Sequence, residues 1–512
     1  MALPGASTDI LSTGGLVIIG LVVRWPNLLT SPPFPAVAQT VLLALAVAEG
    51  RAWPLADQAP YLGTPLVYIL AGIYRVFGPS LEATMLLTWV LGALTVVPVY
   101  LLGKELGGPI AGGIAGALLA TSPAHTVISS HVPWVHSLTP LLSTLSLWLL
   151  ARAILRRESR SLLLAGVLIG VALQTHPTAF PLLAGASLAV ALSLRLWREL
   201  RVAALFILCM TAGYSPLLAH HLQTRFEVVD DIHGKQARYL DADPDPDERA
   251  EQTVYMNNLE QLGASVVRLT AGELRDTRPT PVDYLRDPGL LVYALLGLTG
   301  LLLGRRRAGL FLLAGVILAV LLPPFLNGKY KPILDGRYLM PIVPVLFVGI
   351  GCLASRLGKS MADTRAAGPI MLLIMVFTAS FTIGSLSRLS AYYEDSMEDG
   401  ASNRLYLREI SAIREQLVGE ESVWLDPRLR EVKMPGGANA GSTFSWLLPV
   451  SRISSVELPA DSDWTSLTGQ LAIVHRSTAN ELRQTVGIQH LDGFSMSGKD
   501  QPSFRLVRIQ PA

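Results

Sequence analysis

Long apolar runs separated by short polar turns dominate the first three quarters of this chain. Runs close to the ~20 residues that cross a bilayer recur at 11–29, 82–103, 108–125, 137–155, 161–175, 178–195, 201–218, 289–304, 309–325, 338–355 and 367–387. They predict about eleven spans. Two further apolar stretches are short: "AVAQTVLLALAVAEG" (36–50) and "TPLVYILAGIYRVFG" (64–78), the second carrying Arg75. Both read as interfacial or re-entrant helices, which are tolerated only where they line protein or a water-filled cavity. Since both lie between the first and second spans, the pattern predicts a cavity there.

Past residue 390 the pattern changes. Short alternating runs ("ESVWL", "ISSVEL", "LAIVHR", "SFRLVRI") read as strands, and 403–417 and 477–485 read as helices. The expected organisation is a membrane domain over 1–389 and a small α/β domain over 390–512. The acid- and proline-rich "YLDADPDPDERAEQ" (239–252) reads as a mobile solvated segment.

Charge orients the spans. Lys104, "RAILRRESR" (152–160), "RLWRELR" (195–201), "GRRRAG" (304–309) and "RLGKSMADTR" (356–365) all fall on one side of this arrangement. Short cytoplasmic loops carry the Lys/Arg excess, so that side is inside. Counting 64–78 as a crossing would invert every later loop, a second reason to keep it at the interface. The first long loop, the 219–288 segment and everything after 388 are then outside. The expectation is an integral protein of the cell (plasma) membrane with its C-terminal domain on the outer side.

Composition agrees. Only 16% of residues are charged, against about 25% in soluble domains, and a single soluble core is excluded. The net charge of +2 says nothing about partners until it is mapped by side, and no nucleic-acid partner is expected. Cys209 and Cys352 both lie inside apolar runs, so no disulfide framework is expected. The start "MALPGASTDILSTGG" lacks the basic region of a cleaved signal, so the first run reads as a retained span.

Candidate chemistry gathers outside. All nine histidines fall there, several where a span ends, as in "SSHVPWVHSLTP" and "LQTHPTAF". Their spacing forces no metal site, and a need for a divalent metal stays open. In "NGKYKPILDGRYLMPIVP" (327–344), Lys329, Lys331 and Arg337 sit at the membrane surface. Cations at that depth suit a lipid phosphate, although snorkelling at a helix end would look the same. Arg24 near the outer end of the first span is a weaker case of the same kind. No phosphate-binding loop for a nucleotide appears. Outer-face chemistry then needs an activated donor carried by the membrane, and a lipid-phosphate sugar is one.

The order of segments resembles a known superfamily. "YLGTPLVYILAGIYRVFGPS", "AGGIAGALLATSPAHTVISSHVPW", "LLLAGVLIGVALQTHPTAF" and "DGRYLMPIVPVLF" together are similar to GT-C membrane glycosyltransferases, of the protein mannosyltransferase and aminoarabinose transferase type, over about residues 10–390. The resemblance implies a GT-C-like α-helical membrane fold with interfacial helices in the first outer loop. It also implies transfer of a sugar from a polyprenyl-phosphate carrier to an acceptor, whether protein, glycan or lipid. Arg337, Lys331, Lys329 and His176 would hold the lipid phosphate. Most such enzymes keep an Asp-Glu pair shortly after the first span, the Asp serving as base. Aligning "SPPFPAVAQT" on that motif puts Ala36 and Val37 in those places. Asp57 is the preferred substitute base, with Glu49, Asp230, Asp231 and Asp335 as other nearby acids. The departure leaves a second reading, an inactive relative that binds lipid-linked sugar or serves as a partner subunit. A transporter is disfavoured, since the span centres hold almost no charge.

Overall fold

The computed structural model describes residues 6–26, 28, 38–57, 59–132, 134–231, 251–273, 288–304, 306–326, 336–361, 364, 367–398, 417, 422–431, 454–457, 464–485, 487–490 and 504–510. The chain opens with α1 (Ala6–Arg24), then two short helices, α2 (Ala38–Ala48) and α3 (Pro65–Phe77). A helical bundle follows: α4 (Leu81–Leu94), α5 (Val96–Gly107), α6 (Pro109–Thr121), α7 (Pro123–Ser130), α8 (Thr139–Arg156), α9 (Ser159–Thr175), α10 (Ala179–Leu194) and α11 (Leu200–Gln223). Then come α12 (Glu251–Ala271), α13 (Pro288–Leu303), α14 (Arg306–Leu326), the single turn α15 (Gly336–Leu339), α16 (Ile342–Ser360) and α17 (Ala367–Glu398). α12 lies in the stretch expected to be a long outer loop.

The protein is built on membrane-spanning helices. Five stretches are long and apolar enough to cross: Glu82–Gly107, Val135–Arg156, Leu200–Gln223, Ile342–Ser360 and Gly368–Tyr392. A sixth is the pair α6–α7, bent by 64° at Ser122. Three of the other expected crossings are shorter. α9, α10 and α13 are apolar but hold 17, 16 and 16 residues. At about 1.5 Å per residue they reach roughly 25 Å, less than the ~30 Å hydrocarbon core.

The α6–α7 bend follows from sequence. Pro123 opens α7 and gives no N–H, while the Ser122 hydroxyl accepts from the His125 N–H. The last carbonyls of α6 need another partner. Glycine fixes a close crossing in the bundle: a Cβ on Gly300 of α13 would overlap the Gly349 carbonyl of α16, and one on Gly349 the Gly297 carbonyl.

α2 and α3 pack against each other. Pro65 starts α3, and Gly78, at a φ of 83°, ends it. Arg75 donates to the Ala48 and Val47 carbonyls (both 3.0 Å), closing the C-terminus of α2.

Downstream, β1 (Ser422–Leu425), β2 (Ser454–Glu457), β3 (Leu471–His475), α18 (Arg476–Thr485), β4 (Gly487–His490) and β5 (Phe504–Gln510) form one sheet of order β2-β1-β3-β5-β4. β1 is parallel to β2 and β3, and β5 is antiparallel to β3 and β4. Side chains alternate between two faces. One face carries Ala472, Val474, Val507 and Ile509 against Ala479 and Leu482 of α18. On the other, Val423, Leu425, Ile473 and Leu506 share a core with Val41 and Ala44 of α2 and Val67, Leu70 and Tyr74 of α3. The sheet therefore rests on α2 and α3. The expected helix at 403–417 lies outside the described residues, apart from Leu417.

Candidate functional site

Residues from four distant parts of the sequence meet beside the end of α9. The turn "WVHS" places Trp134 and His136, and the Trp134 indole donates to the Ile128 carbonyl (2.6 Å). His176 follows the last residue of α9. Its Nδ1 accepts from the Thr178 N–H (3.2 Å), and the Thr178 hydroxyl lies 3.0 Å away. With Nδ1 an acceptor, neutral His176 carries its proton on Nε2. The single turn α15 supplies Arg337 and Tyr338.

The rings are in contact. The His136 and His176 centroids lie 4.6 Å apart, and Tyr338 stands 5.5 Å from His136 and 5.2 Å from His176. The Trp134 and His136 ring centroids lie 4.8 Å apart, with the rings edge to face. The Arg337 guanidinium sits 5.2 Å from the Trp134 centroid and 4.8 Å from that of Tyr338, and donates to the Tyr338 hydroxyl at 2.9 Å. Two aromatic faces thus hold the cation in place. Both histidines are buried, and the buried Nδ1 of His136 has no hydrogen bond to a described residue.

Asp57 is tied to the same region through its loop. Its carboxylate accepts from the Thr40 hydroxyl of α2 (2.7 Å), and its N–H donates to the Leu62 carbonyl (2.8 Å). The next residue, Gly63, donates to the Gln174 carbonyl of α9 (2.7 Å). A Cβ on Gly63 would fall 2.7 Å from the Gln174 side chain, so this close approach requires glycine. The loop thereby sets Tyr61 6.3 Å from the His176 ring. Asp57 itself is 7% exposed, buried although its "ADQAP" surroundings have the composition of an exposed turn.

Of the expected site residues, the structure brings Arg337 and His176 together and fastens the loop of Asp57 beside them. Lys329 and Lys331 lie outside the described residues, as do Asp335, Ala36 and Val37. Glu49 pairs with Arg51 at the surface. Asp230, which is exposed, and Asp231 lie beyond the end of α11. Among the described residues no group of three or more His, Cys, Asp or Glu could hold a metal ion.

Arg24 does not serve a headgroup. It is fully buried, and all five of its N–H donors are used within the fold. Nε donates to Ser130 Oγ (3.1 Å), Nη1 to the Gly20 and Ala120 carbonyls (3.0 and 2.6 Å), and Nη2 to the Leu119 carbonyl (3.1 Å) and His125 Nδ1 (3.0 Å). It supplies the donors that the end of α6 lacks.

Burial, and then the nearby charge of Arg337, push the His176 pKa down to about 3. An unfolded histidine titrates near ~6.5. Between these values the unfolded chain binds more protons, so the stability contributed by neutral His176 is complete above ~6.5 and is lost as pH falls. The thermal midpoint of purified protein is expected to drop on acidification from about pH 7 to pH 5, and less steeply in His176→Asn. A scan of midpoint against pH for both proteins checks this.

Residues 63–220 match the family model described as dolichyl-phosphate-mannose-protein mannosyltransferase. No curated protein matches the chain significantly. The crystal structure of ArnT from Cupriavidus metallidurans bound to undecaprenyl phosphate is similar, with a TM-score of 0.55 at 14% identity over 99% of this chain and 98% of that one. The Archaeoglobus fulgidus oligosaccharyltransferase in complex with Zn and sulfate aligns with a TM-score of 0.52 at 13% identity, over 91% of this chain and 68% of that one. The fold is therefore that of the GT-C membrane glycosyltransferases, as the order of segments in the sequence implied.

Proposed function

We propose that this protein is a glycosyltransferase that moves a sugar from a polyprenyl-phosphate carrier to an acceptor on the outer face of the membrane. The carrying observation is Arg337, clamped between Trp134 and Tyr338 next to the His136–His176 pair. A guanidinium offers a phosphate two parallel hydrogen bonds, and neutral His176 adds an Nε2–H. Lys329 and Lys331 precede Arg337 in the same stretch of sequence and are proposed as further phosphate partners. ArnT, similar in fold, was crystallised with undecaprenyl phosphate, which supports the choice of carrier.

Asp57 is the candidate base. Its carboxylate is buried and held by Thr40, so it can take a proton from an acceptor hydroxyl as the oxygen attacks the anomeric carbon. The test is release of labelled sugar from a panel of polyprenyl-phosphate sugars by purified protein in lipid. Asp57→Asn is expected to lower turnover by roughly 10²–10⁴-fold, the usual worth of a positioned base, with carrier binding retained. Full turnover in Asp57→Asn would remove Asp57 from the role.

One observation favours a second reading. Ala36 and Val37 stand where related enzymes carry their acid pair, and neither can move a proton. On that reading the protein binds lipid-linked sugar without turning it over, as a partner subunit. Carrier binding without sugar release from any donor would select it. The sheet over β1–β5, which shares a core with α2 and α3, is then the part that presents or excludes an acceptor.

A further inference from the structure

We propose that the His136–His176 pair is a proton site coupled to the lipid phosphate, empty with a phosphodiester and holding one proton with a phosphomonoester. The inference rests on the transferase reading above and concerns what happens at the phosphate when the sugar leaves.

The charge balance sets the need. In the donor, the phosphate joins two carbons and carries one negative charge. Transfer forms a bond between the acceptor oxygen and the anomeric carbon. It breaks the bond from that carbon to the phosphate oxygen, which keeps the electron pair. The hydroxyl proton passes to Asp57. The carrier is left as a monoester, whose second ionisation lies near ~6, so at neutral pH it gains a second negative charge. Arg337 supplies one fixed positive charge before and after. A half-buried site that must bind both forms gains from a second charge that appears only with the product.

The two imidazoles fit that task. Both are buried and in ring contact, at a centroid separation of 4.6 Å. Two cations so close would repel strongly, and Arg337 stands against the same Tyr338 ring, so the pair accepts at most one proton. Buried imidazole beside a cation favours the neutral form until an anion arrives. A phosphate at Arg337 reverses the sign of the local field and draws a proton from water onto the pair. His136 Nδ1, buried and without a hydrogen bond to a described residue, is the free position, because His176 Nδ1 is occupied by Thr178. Among the described residues, the groups facing the pair are Arg337 and Tyr338 from α15, Tyr61 from the loop of Asp57, and Trp134. Of the helices packed against this turn, α4 has Glu82 as its charged residue, placed in its first turn. His125 of α7 is engaged by Arg24. The charged residues of α8 are Arg152 and Arg156, near its far end.

Proton uptake on binding measures this directly and needs no turnover. Undecaprenyl phosphate is titrated calorimetrically into the full-length protein in nanodiscs at about pH 7.5, in two buffers of different ionisation enthalpy. A dialkyl phosphodiester of similar chain length is the comparison probe. The wild type is expected to take up close to one proton with the monoester and close to none with the diester. His136→Gln and His176→Gln, which keep hydrogen-bonding capacity but cannot titrate in this range, are expected to bind the monoester with little uptake. Binding by wild type without uptake overturns the proton site while leaving the transferase reading intact. So does equal uptake in His136→Gln and wild type, since the proton would then sit on the phosphate or elsewhere. Failure of wild type to bind either probe overturns the lipid-phosphate reading, and the proton site with it. A thermal midpoint close to wild type establishes that each variant is folded.

Discussion

Replacing Arg337 with alanine is expected to weaken binding of undecaprenyl phosphate by roughly 30- to 1,000-fold. Loss of one partner of a half-buried charged hydrogen-bonded pair costs about 2–4 kcal/mol, and each ~1.4 kcal/mol is tenfold in affinity. The cation does not act alone: Trp134 and Tyr338 fix its plane, and the Tyr338 hydroxyl holds one of its nitrogens at 2.9 Å. The fork therefore meets a phosphate without first losing side-chain freedom. Arg337→Lys keeps the charge but not the fork or the stacking, so it should recover only part of the loss. Titration of the three proteins in nanodiscs gives the ranking wild type, lysine, alanine. The unliganded proteins should melt within a few degrees of one another, because Arg337 is only half-buried. An alanine variant that binds within about twofold of wild type, well under 1 kcal/mol, would mean that Arg337 merely snorkels at the end of its helix.

The sequence made Arg337 a candidate because it stands in a basic loop just before a span. It also made the histidines candidates, because several stand where spans end. What it could not show was their meeting. Residues 136, 176 and 337 are joined by no repeat or helical spacing. Their contact depends on how α8, α9 and α15 close together, which is a property of the packed bundle. Asp57 was legible as an acid but not as a buried one, since its partner Thr40 lies on α2 and the clamp from Gly63 to Gln174 is made by backbone. Arg75 on α3 was legible as a charge inside an apolar stretch, and its bonds to the end of α2 explain why a charge belongs there. Four of the five strands were visible as alternating apolar runs. β4, in "VGIQH", has too few apolar residues to announce itself and is recruited by its pairing with β5. The docking of the sheet on α2 and α3 was invisible, because the core they share reads as an ordinary alternating face on one side and an ordinary apolar helix on the other.

The largest effect on the fold itself is expected from Arg24. A lone arginine at the outer end of an apolar run looks like an anchor at the headgroup layer, yet here it is sealed inside, with five donors satisfied by α1, the α6–α7 corner and Ser130. Its own carbonyl accepts from the His131 imidazole (2.6 Å), closing the network from the other side. Arg24→Ala strips the Ala120 carbonyl, the Ser130 hydroxyl and His125 of their Arg24 donor at once, and leaves the Leu119 carbonyl with only the Ser122 N–H. Each buried group left without a partner costs about 1–3 kcal/mol, and the vacated side-chain volume adds roughly 2–5 kcal/mol. That sum reaches the 5–15 kcal/mol or so that separates folded from unfolded states in ordinary domains. Little monodisperse protein is therefore expected after detergent extraction. Arg24→Lys should be intermediate, since three donors on one nitrogen cannot reach acceptors arranged around a planar fork. Arg51→Ala, which breaks an exposed pair with Glu49, is the control and should change the midpoint little, in keeping with the ~0–1 kcal/mol of surface ion pairs. Size-exclusion profiles and melting curves of the three variants decide the matter. Wild-type behaviour in Arg24→Ala would show that the corner between α6 and α7 holds without its cap. The substitution should act on folding before it acts on chemistry, because the five bonds of Arg24 hold the bend ahead of the turn that carries Trp134 and His136.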